Sequence, residues 1–525
     1  MDKKTEKNQS VIRSAGLMSI GTLGSRILGL LRDSVLAAYF PRTVTDAFFV
    51  AFSFPNKFRR LLGEGSLSVS FIPVYIEARE KNPEEAKQVS QGIFSLLLLV
   101  SAMICVLGVI FMEPIMSLLV GGKGYLSVEG KLEITIYLAR IMFSYLFLVS
   151  TYAFCMAVLQ AHRQFFIPAI APALFNLSFI IIAILPIKNM RFPGANLAWA
   201  VIIGGIIQAL TVIVPLWKQK LLPKLSWNWK STKVKLILRN MIPGILGMGI
   251  LQFLTLVNIN YASRLKEGSH SYIYWADRIL ELPQSLIAIS LGAALLPSLS
   301  QLWTQGKQQE MQRQGQQHLL TLLFLALPSA VGMYVLAQPI VEVLFMRGKY
   351  FNVADAENTA NVVKIYSVLL IALSLTKVLV PNFYAIKNTW LPALTSVISI
   401  VFHIFIGFFM VNKYGLYGLV GSMAMSGYIN LILTLIFYQK FIGKFNWGQF
   451  LKGTIHFVPS LIVMGLFAVY SYPLLLGLQI FSSSSFNKTF SLLVVITLSV
   501  VLYFGLSQLF RVPQAQKVLS RFKRL

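Results

Sequence analysis

The sequence is a succession of apolar runs, each long enough to cross a bilayer as a helix. Twelve lie near residues 95–119, 135–160, 167–187, 194–216, 236–262, 272–299, 318–345, 363–384, 390–411, 415–438, 454–478 and 488–510, and one helical crossing needs about 20 such residues. Two more, 12–40 and 44–76, are apolar enough to span but are interrupted by Arg26, Arg32, Asp33, Asp46, Arg59, Arg60 and Glu64. Counting them gives about 14 spans. In lipid, backbone groups can pair only with each other, so spans of this kind are helices. The expected fold class is an all-α polytopic membrane protein.

Composition agrees. Of 525 residues, 56% are apolar and 12% charged, about half the charge of a soluble chain. The net charge of +27 does not indicate nucleic acid, because a nucleic-acid binder gathers its cations on a broad solvated face that is missing here. Both cysteines, Cys105 and Cys155, lie in apolar stretches, so neither a disulfide framework nor a Cys-based metal site is expected. The N-terminus has no signal-peptide pattern and is expected to be retained. With both termini cytoplasmic, the inner segments carry about 25 Lys/Arg and the outer loops about 11, the bias that the positive-inside rule requires. No loop exceeds about 20 residues, so function must lie in or beside the bilayer.

The chain also repeats itself. Ala161-His162-Arg163-Gln164 and Phe166-Ile167-Pro168-Ala169 align with Ala385-Ile386-Lys387-Asn388 and Trp390-Leu391-Pro392-Ala393, an offset of 224 that also carries Phe71-Ile72-Pro73 onto Leu295-Leu296-Pro297. Six spans per repeat is an even number, so the two repeats insert in parallel, as in transporters with lobes around a central cavity. The expected division is a lobe over 1–220, a second over 221–445, and two extra spans with a cytoplasmic tail over 446–525.

Charges inside spans are costly, at about 2.5–3.5 kcal/mol each near a helix centre, and so face a cavity or a partner. The first span carries Arg26, Arg32 and Asp33 among Gly16, Gly21, Gly24 and Gly29; Arg26 and Asp33 share a face, while Arg32 has snorkelling as its alternative. In the second, Asp46 stands near the outer end, and Arg60 can pair with Glu64, leaving Arg59 for a ligand or as an interface anchor beside Lys57. The eighth places Asp277, Arg278 and Glu281 in one sector. Arginines held by carboxylates suit a diphosphate, which guanidinium binds bidentately. Arg140, Arg239, Lys364 and Lys377 read as packing or interface charges. The five histidines, His162, His270, His318, His403 and His456, lack metal-ligand spacing, and no nucleophile elbow, HExxH or Walker loop occurs, so no metal site and no enzyme chemistry is expected.

Ser25-Arg26-Ile27-Leu28-Gly29-Leu30-Leu31-Arg32-Asp33, Thr45-Asp46-Ala47-Phe48-Phe49, Arg59-Arg60-Leu61-Leu62-Gly63-Glu64-Gly65, Ala276-Asp277-Arg278-Ile279-Leu280-Glu281-Leu282-Pro283 and Leu295-Leu296-Pro297-Ser298 resemble the bacterial MurJ (MviN) family of lipid II flippases. The resemblance covers essentially the whole chain. It implies the fold of the MOP exporter superfamily, and lipid II, undecaprenyl-diphosphate bearing a disaccharide-pentapeptide, as substrate, flipped across the bacterial inner membrane by alternating access. It further implies substrate binding by Arg26, Arg32, Arg59, Arg278 and Ser25, with Asp33, Asp46, Glu64, Asp277 and Glu281 as gating residues or charge partners. The two last spans would take the lipid tail. Implied partners are lipid II, membrane lipids and the cell-wall synthesis and division machinery. Some relatives bind sodium through carboxylates of the second lobe; the acids after Glu281 here, Glu310, Glu342, Asp355 and Glu357, fall in or at the edges of loops, so no cofactor is expected and the membrane potential is the expected energy source. The alternatives are a flippase for another undecaprenyl-diphosphate glycan and a MATE-like drug/cation exporter of the same superfold. A membrane glycosyltransferase or phosphatase would need a clustered Asp or His motif.

Overall fold

The computed structural model describes residues 21, 23–61, 67–185, 192–227, 229 and 231–516. Among the described residues every regular element is a helix. Nine helices, or runs of two consecutive helices, are long and apolar enough to cross a membrane: α4 (Pro83–Ile110), α7 and α8 (Lys131–Phe143, Tyr145–Ala161), α9 (Phe166–Ile184), α10 (Ala195–Lys218), α13 (Gln308–Val335), α15 (Val353–Ala385), α16 (Trp390–Phe441), α17 and α18 (Trp447–Ile455, Val458–Gly477) and α19 (Ser484–Leu509). As one rod, the 52 residues of α16 would run about 78 Å against a hydrocarbon core of about 30 Å. Gly415 breaks it, with φ 59° and ψ −132°, in the gap expected between residues 411 and 415. A Cβ on Gly418 would fall 2.0 Å from the Met410 carbonyl oxygen, so the two legs meet backbone to backbone at that turn. The expected fourteen adds α1 (23–39), α2 (Arg42–Leu61) with α3 (Leu67–Lys81), α11 (Thr232–Ala262) and α12 (Ser269–Thr304) to these. The interrupted span expected over 44–76 is described as α2 and α3, and residues 62–66 between them lie outside the described residues.

The repeat is visible in backbone detail. Arg163 and Lys387, 224 residues apart, are both left-handed, with φ of 61° and 60°. Each closes its helix in the same way: Arg163 N–H donates to Gln160 O (2.9 Å) and Gln164 N–H to Leu159 O (2.9 Å), while Lys387 N–H donates to Tyr384 O (3.0 Å) and Asn388 N–H to Phe383 O (2.9 Å). Paired 6→1 and 5→2 bonds of this kind satisfy the orphan carbonyls of a helix end. A residue with a Cβ gives up roughly 1–2 kcal/mol to sit there.

The described chain forms two compact units. The first runs to Ser271 and takes in Gly348–Tyr350; the second holds Tyr272–Arg347 and begins again at Phe351. The boundary lies one helix later than the repeat boundary at 220, because α11 packs on α2, α3, α4 and α5 (Met112–Val120). In the first unit α9 and α10 form the most extensive contact. Small residues of α10 permit the close approach of both its neighbours: a Cβ on Gly204 would stand 3.0 Å from Phe175 of α9, and one on Gly205 2.5 Å from the Tyr145 ring of α8. In the second unit α15 lies between α13 and α16, and α18 with α19 attaches to α13 and α14 (Ala337–Phe345). That attachment uses a Phe324, Phe457, Tyr503 and Val512 cluster, a Tyr503 hydroxyl donating to Phe324 O (2.8 Å), and a Lys488–Glu342 ion pair (2.8 Å).

Beside the Arg163 corner, His162 lies against α3. Its Nε2 is 3.2 Å from the Tyr75 hydroxyl and its Nδ1 3.2 Å from Arg79 Nη1. Arg79 can only donate, so Nδ1 accepts and the ring is neutral. Burial, then the Arg79 charge, holds the imidazole below its usual 6.5. The unfolded chain therefore takes up a proton below about 6.5 that the folded chain refuses, and stability falls as pH drops through that window. The melting temperature of the wild type should fall more between pH 7.5 and 5.5 than that of His162→Gln; parallel profiles would exclude this contribution.

Candidate functional site

On α1, Arg32 and Asp33 are buried, at 5% and 0% exposure, so Arg32 does not snorkel. Its Nε and Nη2 both donate to Asp33 Oδ1, at 3.0 and 2.8 Å, and Nη1 donates to Asn176 Oδ1 on α9 at 3.1 Å. The guanidinium also lies 5.6 Å from the Phe179 ring, one turn along α9. Asn176 uses its other end as well, donating from Nδ2 to the Ser25 carbonyl (3.1 Å). One amide thus ties both the backbone of α1 and its arginine to α9. The sequence put Asp33 on the face of Arg26; the structure gives it to the adjacent Arg32, whose long side chain folds back along the helix. Arg26 and Ser25 are half-buried.

Asp46 is fully buried in α2. Its Oδ1 accepts from the Ser271 N–H (2.9 Å) and hydroxyl (2.6 Å), and its Oδ2 from the Gly268 N–H (2.7 Å) and Lys131 Nζ (2.8 Å). Three of these donors, two of them backbone N–H groups, belong to the first turn of α12 and the residue before it, so the carboxylate caps that helix where orphan N–H groups and the macrodipole favour an anion. Lys131, 1% exposed, supplies the counter-charge and sits 4.5 Å from the Tyr125 ring. Asp46 therefore has four donors on two separate segments of the first unit.

The repeat explains the position of Lys131. Asp355 stands 224 residues later, in the first turn of α15, also buried. There it accepts from the Tyr272 hydroxyl of α12 at 2.6 Å. Both units thus place a buried ionisable residue of opposite type at the same repeat position, Lys131 bonding to α2 in the first and Asp355 to α12 in the second.

In the second unit, Arg278 Nη1 donates to Glu281 Oε2 (2.9 Å) and Nη2 to the Tyr274 hydroxyl (2.6 Å), as the three-residue spacing on α12 predicts. Asp277 lies within electrostatic reach of the Tyr366 hydroxyl of α15, which donates to Met423 Sδ at 3.8 Å. Side-chain exposure is 24% for Arg278 and 44% for Glu281, against 6% and 0% for Arg32 and Asp33. Glu64 and the Arg59 side chain, both expected at the site, lie outside the described residues. Sequence reasoning missed Lys131, counted as a loop cation, and Asn176, Tyr274 and Tyr366. A buried Asp46 needing a counter-ion was the available signal for Lys131; uncharged partners on other helices leave no such trace.

In each unit an arginine is already charge-paired, Arg32 with Asp33 and Arg278 with Glu281, and an anionic ligand that takes the arginine over leaves that carboxylate to be re-paired or hydrated.

The family profile described as "Lipid II flippase MurJ" matches residues 36–504. A probable lipid II flippase MurJ of Bdellovibrio bacteriovorus is 42% identical over 515 residues, 98% of this chain and 97% of that one. The lipid II flippase MurJ of Burkholderia cenocepacia is 31% identical over 426 residues, covering 80% and 82%. Among solved structures, a lipid II flippase MurJ in an inward closed conformation matches with a TM-score of 0.75 at 25% identity, over 94% of this chain and 98% of that one. An inward-facing multidrug resistance MATE family transporter of the MOP superfamily matches with a TM-score of 0.68 at 15% identity, over 79% and 94%, a likeness of fold alone.

Breaking a buried ion pair from one side costs about 3–5 kcal/mol, because the remaining charge has no water. Lys131→Met and Asp46→Asn should each lower the thermal midpoint in detergent, and the double variant should lose less than the sum of the two. Additive losses would show that the two residues are not coupled.

Proposed function

The chain belongs to the lipid II flippase MurJ family, and on that premise we propose that it carries lipid II from the cytoplasmic to the outer leaflet of the bacterial inner membrane. It is a membrane transporter rather than an enzyme, with the MurJ and MOP superfamily fold. Both termini face the cytoplasm in this reading, as the Lys/Arg bias favours.

Arg26, Arg32, Arg59 and Arg278 bind the diphosphate, and Ser25 lies at the same level of α1. The observation that carries this assignment is the pairing of Arg32 with Asp33 and of Arg278 with Glu281, since each guanidinium is held ready by a monoanion that a diphosphate outcompetes in charge. Exposure sets the order. Arg278 meets the ligand first, whereas Arg32 needs its buried contacts with Asp33 and Asn176 loosened and engages as α1 moves. The polyprenyl chain stays in lipid against α18 and α19, where Val463, Leu466, Phe467, Tyr470, Leu474 and Leu502 line an apolar groove of about 470 Å³.

Asp46 acts at the outer gate. Its bonds to Gly268 and Ser271 hold the start of α12 against α2, and outward opening releases that cap; Lys131 keeps the carboxylate charge-paired when the cap is lost. Moving an anion out of a negative interior gains about 2.3 kcal/mol per charge per 100 mV, so the membrane potential supplies the drive and no coupling ion is required.

Cells depleted of their own lipid II flippase should grow on this gene. Arg26→Ala, Arg59→Ala and Arg278→Ala should each abolish growth at normal protein levels. Growth with all three would rule out the diphosphate assignment.

A further inference from the structure

The corner where α8, α9 and α10 end or begin holds a feature that substrate transport does not use. Among the described residues five non-glycine positions are left-handed: Arg163, Lys220, Lys387, Gln479 and Arg511. Four are cations, although glycine is the residue that fits this backbone without strain. Arg163 and Lys220 end α8 and α10, and α9 and α10 cross in opposite directions between them, so both stand at one end of the first unit. The turn between α9 and α10, at the other end, has Gly194 in the left-handed position (φ 80°).

The two corners are tied together by the residues beside these cations. Gln164 Nε2 donates to Gln219 Oε1 at 2.8 Å, and Gln219 Nε2 donates back to Gln164 Oε1 at 3.1 Å. This reciprocal amide pair pins the corner after α8 to the corner after α10, one residue from each cation. Arg163 and Lys220 are both exposed, and neither has a salt-bridge partner among the described residues. Phe166 and Trp217 flank them, at 41% and 67% exposure, as aromatic side chains do at the level of lipid headgroups. The fold does not demand the pair. The second repeat keeps Lys387, but α16 ends at Ile442 with φ −109° and no left-handed cation.

We propose that Arg163 and Lys220, zipped by Gln164 and Gln219, form a binding site for the phosphate of an anionic phospholipid in the cytoplasmic leaflet. Two exposed cations on corners tied together by the glutamine pair attract an anion, and a headgroup phosphate at this depth can meet both while its acyl chains lie along Phe166 and Trp217. The backbone strain at both residues is offset by the bound lipid. The site rests on α8, α9 and α10 spanning the membrane with this corner on the cytoplasmic side, the orientation proposed above, and not on lipid II transport.

The test uses the full-length protein in nanodiscs of phosphatidylcholine alone or with phosphatidylglycerol. Wild type should melt higher with phosphatidylglycerol and should retain it through delipidation, read by native mass spectrometry. The double variant Arg163→Gly/Lys220→Gly should melt at least as high as wild type in phosphatidylcholine, by about 1–2 °C once the strain is relieved, yet lose most of the phosphatidylglycerol increment. Lys444→Gln, an exposed cation of the same predicted face outside the corner, should keep that increment, as should Arg163→Lys/Lys220→Arg. If the glycine variant fails to fold, Arg163→Asn/Lys220→Asn removes both charges with a residue that tolerates the same backbone. An unchanged increment in either charge-free variant would overturn the site and leave these cations as topology determinants. Inorganic phosphate reproducing the increment in phosphatidylcholine would overturn the lipid assignment. Lipid II flipping in neutral vesicles should be the same for wild type and the glycine variant, so failure here is distinguishable from failure of the transport reading.

Discussion

A charge inside a bilayer must be paired, and the structure is organised around that requirement. The Asp46 carboxylate, 0% exposed, takes four donors, one of them the Lys131 ammonium at 2.8 Å. Without Lys131 the capping of α12 would leave a net negative charge in a low-dielectric interior, at a cost of several kcal/mol. With it, Asp46 can hold the start of α12 through N–H and hydroxyl donors that carry no charge of their own, so opening that cap leaves the carboxylate still paired. In the gating role proposed for Asp46, the ion pair persists while the cap opens.

The same logic is graded along the arginines proposed to bind the diphosphate. Arg32 is engaged on three sides, by Asp33, Asn176 and the Phe179 ring, and is buried. Arg278 has Glu281 and Tyr274 and is partly open. Because Asn176 bonds both the Ser25 carbonyl and the Arg32 guanidinium, movement of α1 and release of its arginine are linked events. A ligand that draws Arg32 away from Asn176 also loosens the backbone of α1.

Much of this was legible in the sequence because lipid makes the rules strict. The length of apolar runs placed the helices, including the break within α16 that Gly415 makes, and the offset of 224 found two corners whose φ angles agree within a degree. The Arg278–Glu281 pair followed from helix periodicity. What stayed hidden depended on contacts between helices. Nothing along α1 says that Asn176 of α9 will hold Arg32, and helix-wheel reasoning gave Asp33 to Arg26 because it ignores how far an arginine reaches back. Lys131 lies beside a loop in sequence, and only packing buries it. The left-handed cations were invisible for a different reason: glycine marks such turns in a sequence, and here lysine and arginine occupy them.

The central claim is that charged groups which the bilayer would otherwise exclude serve to move a lipid-linked diphosphate. The most direct test follows headgroup-labelled lipid II across vesicles containing the purified protein, with and without an imposed potential, positive on the receiving side. The account predicts protein-dependent translocation that accelerates with the potential. Translocation no faster than in protein-free vesicles, or a rate indifferent to the potential, would contradict it.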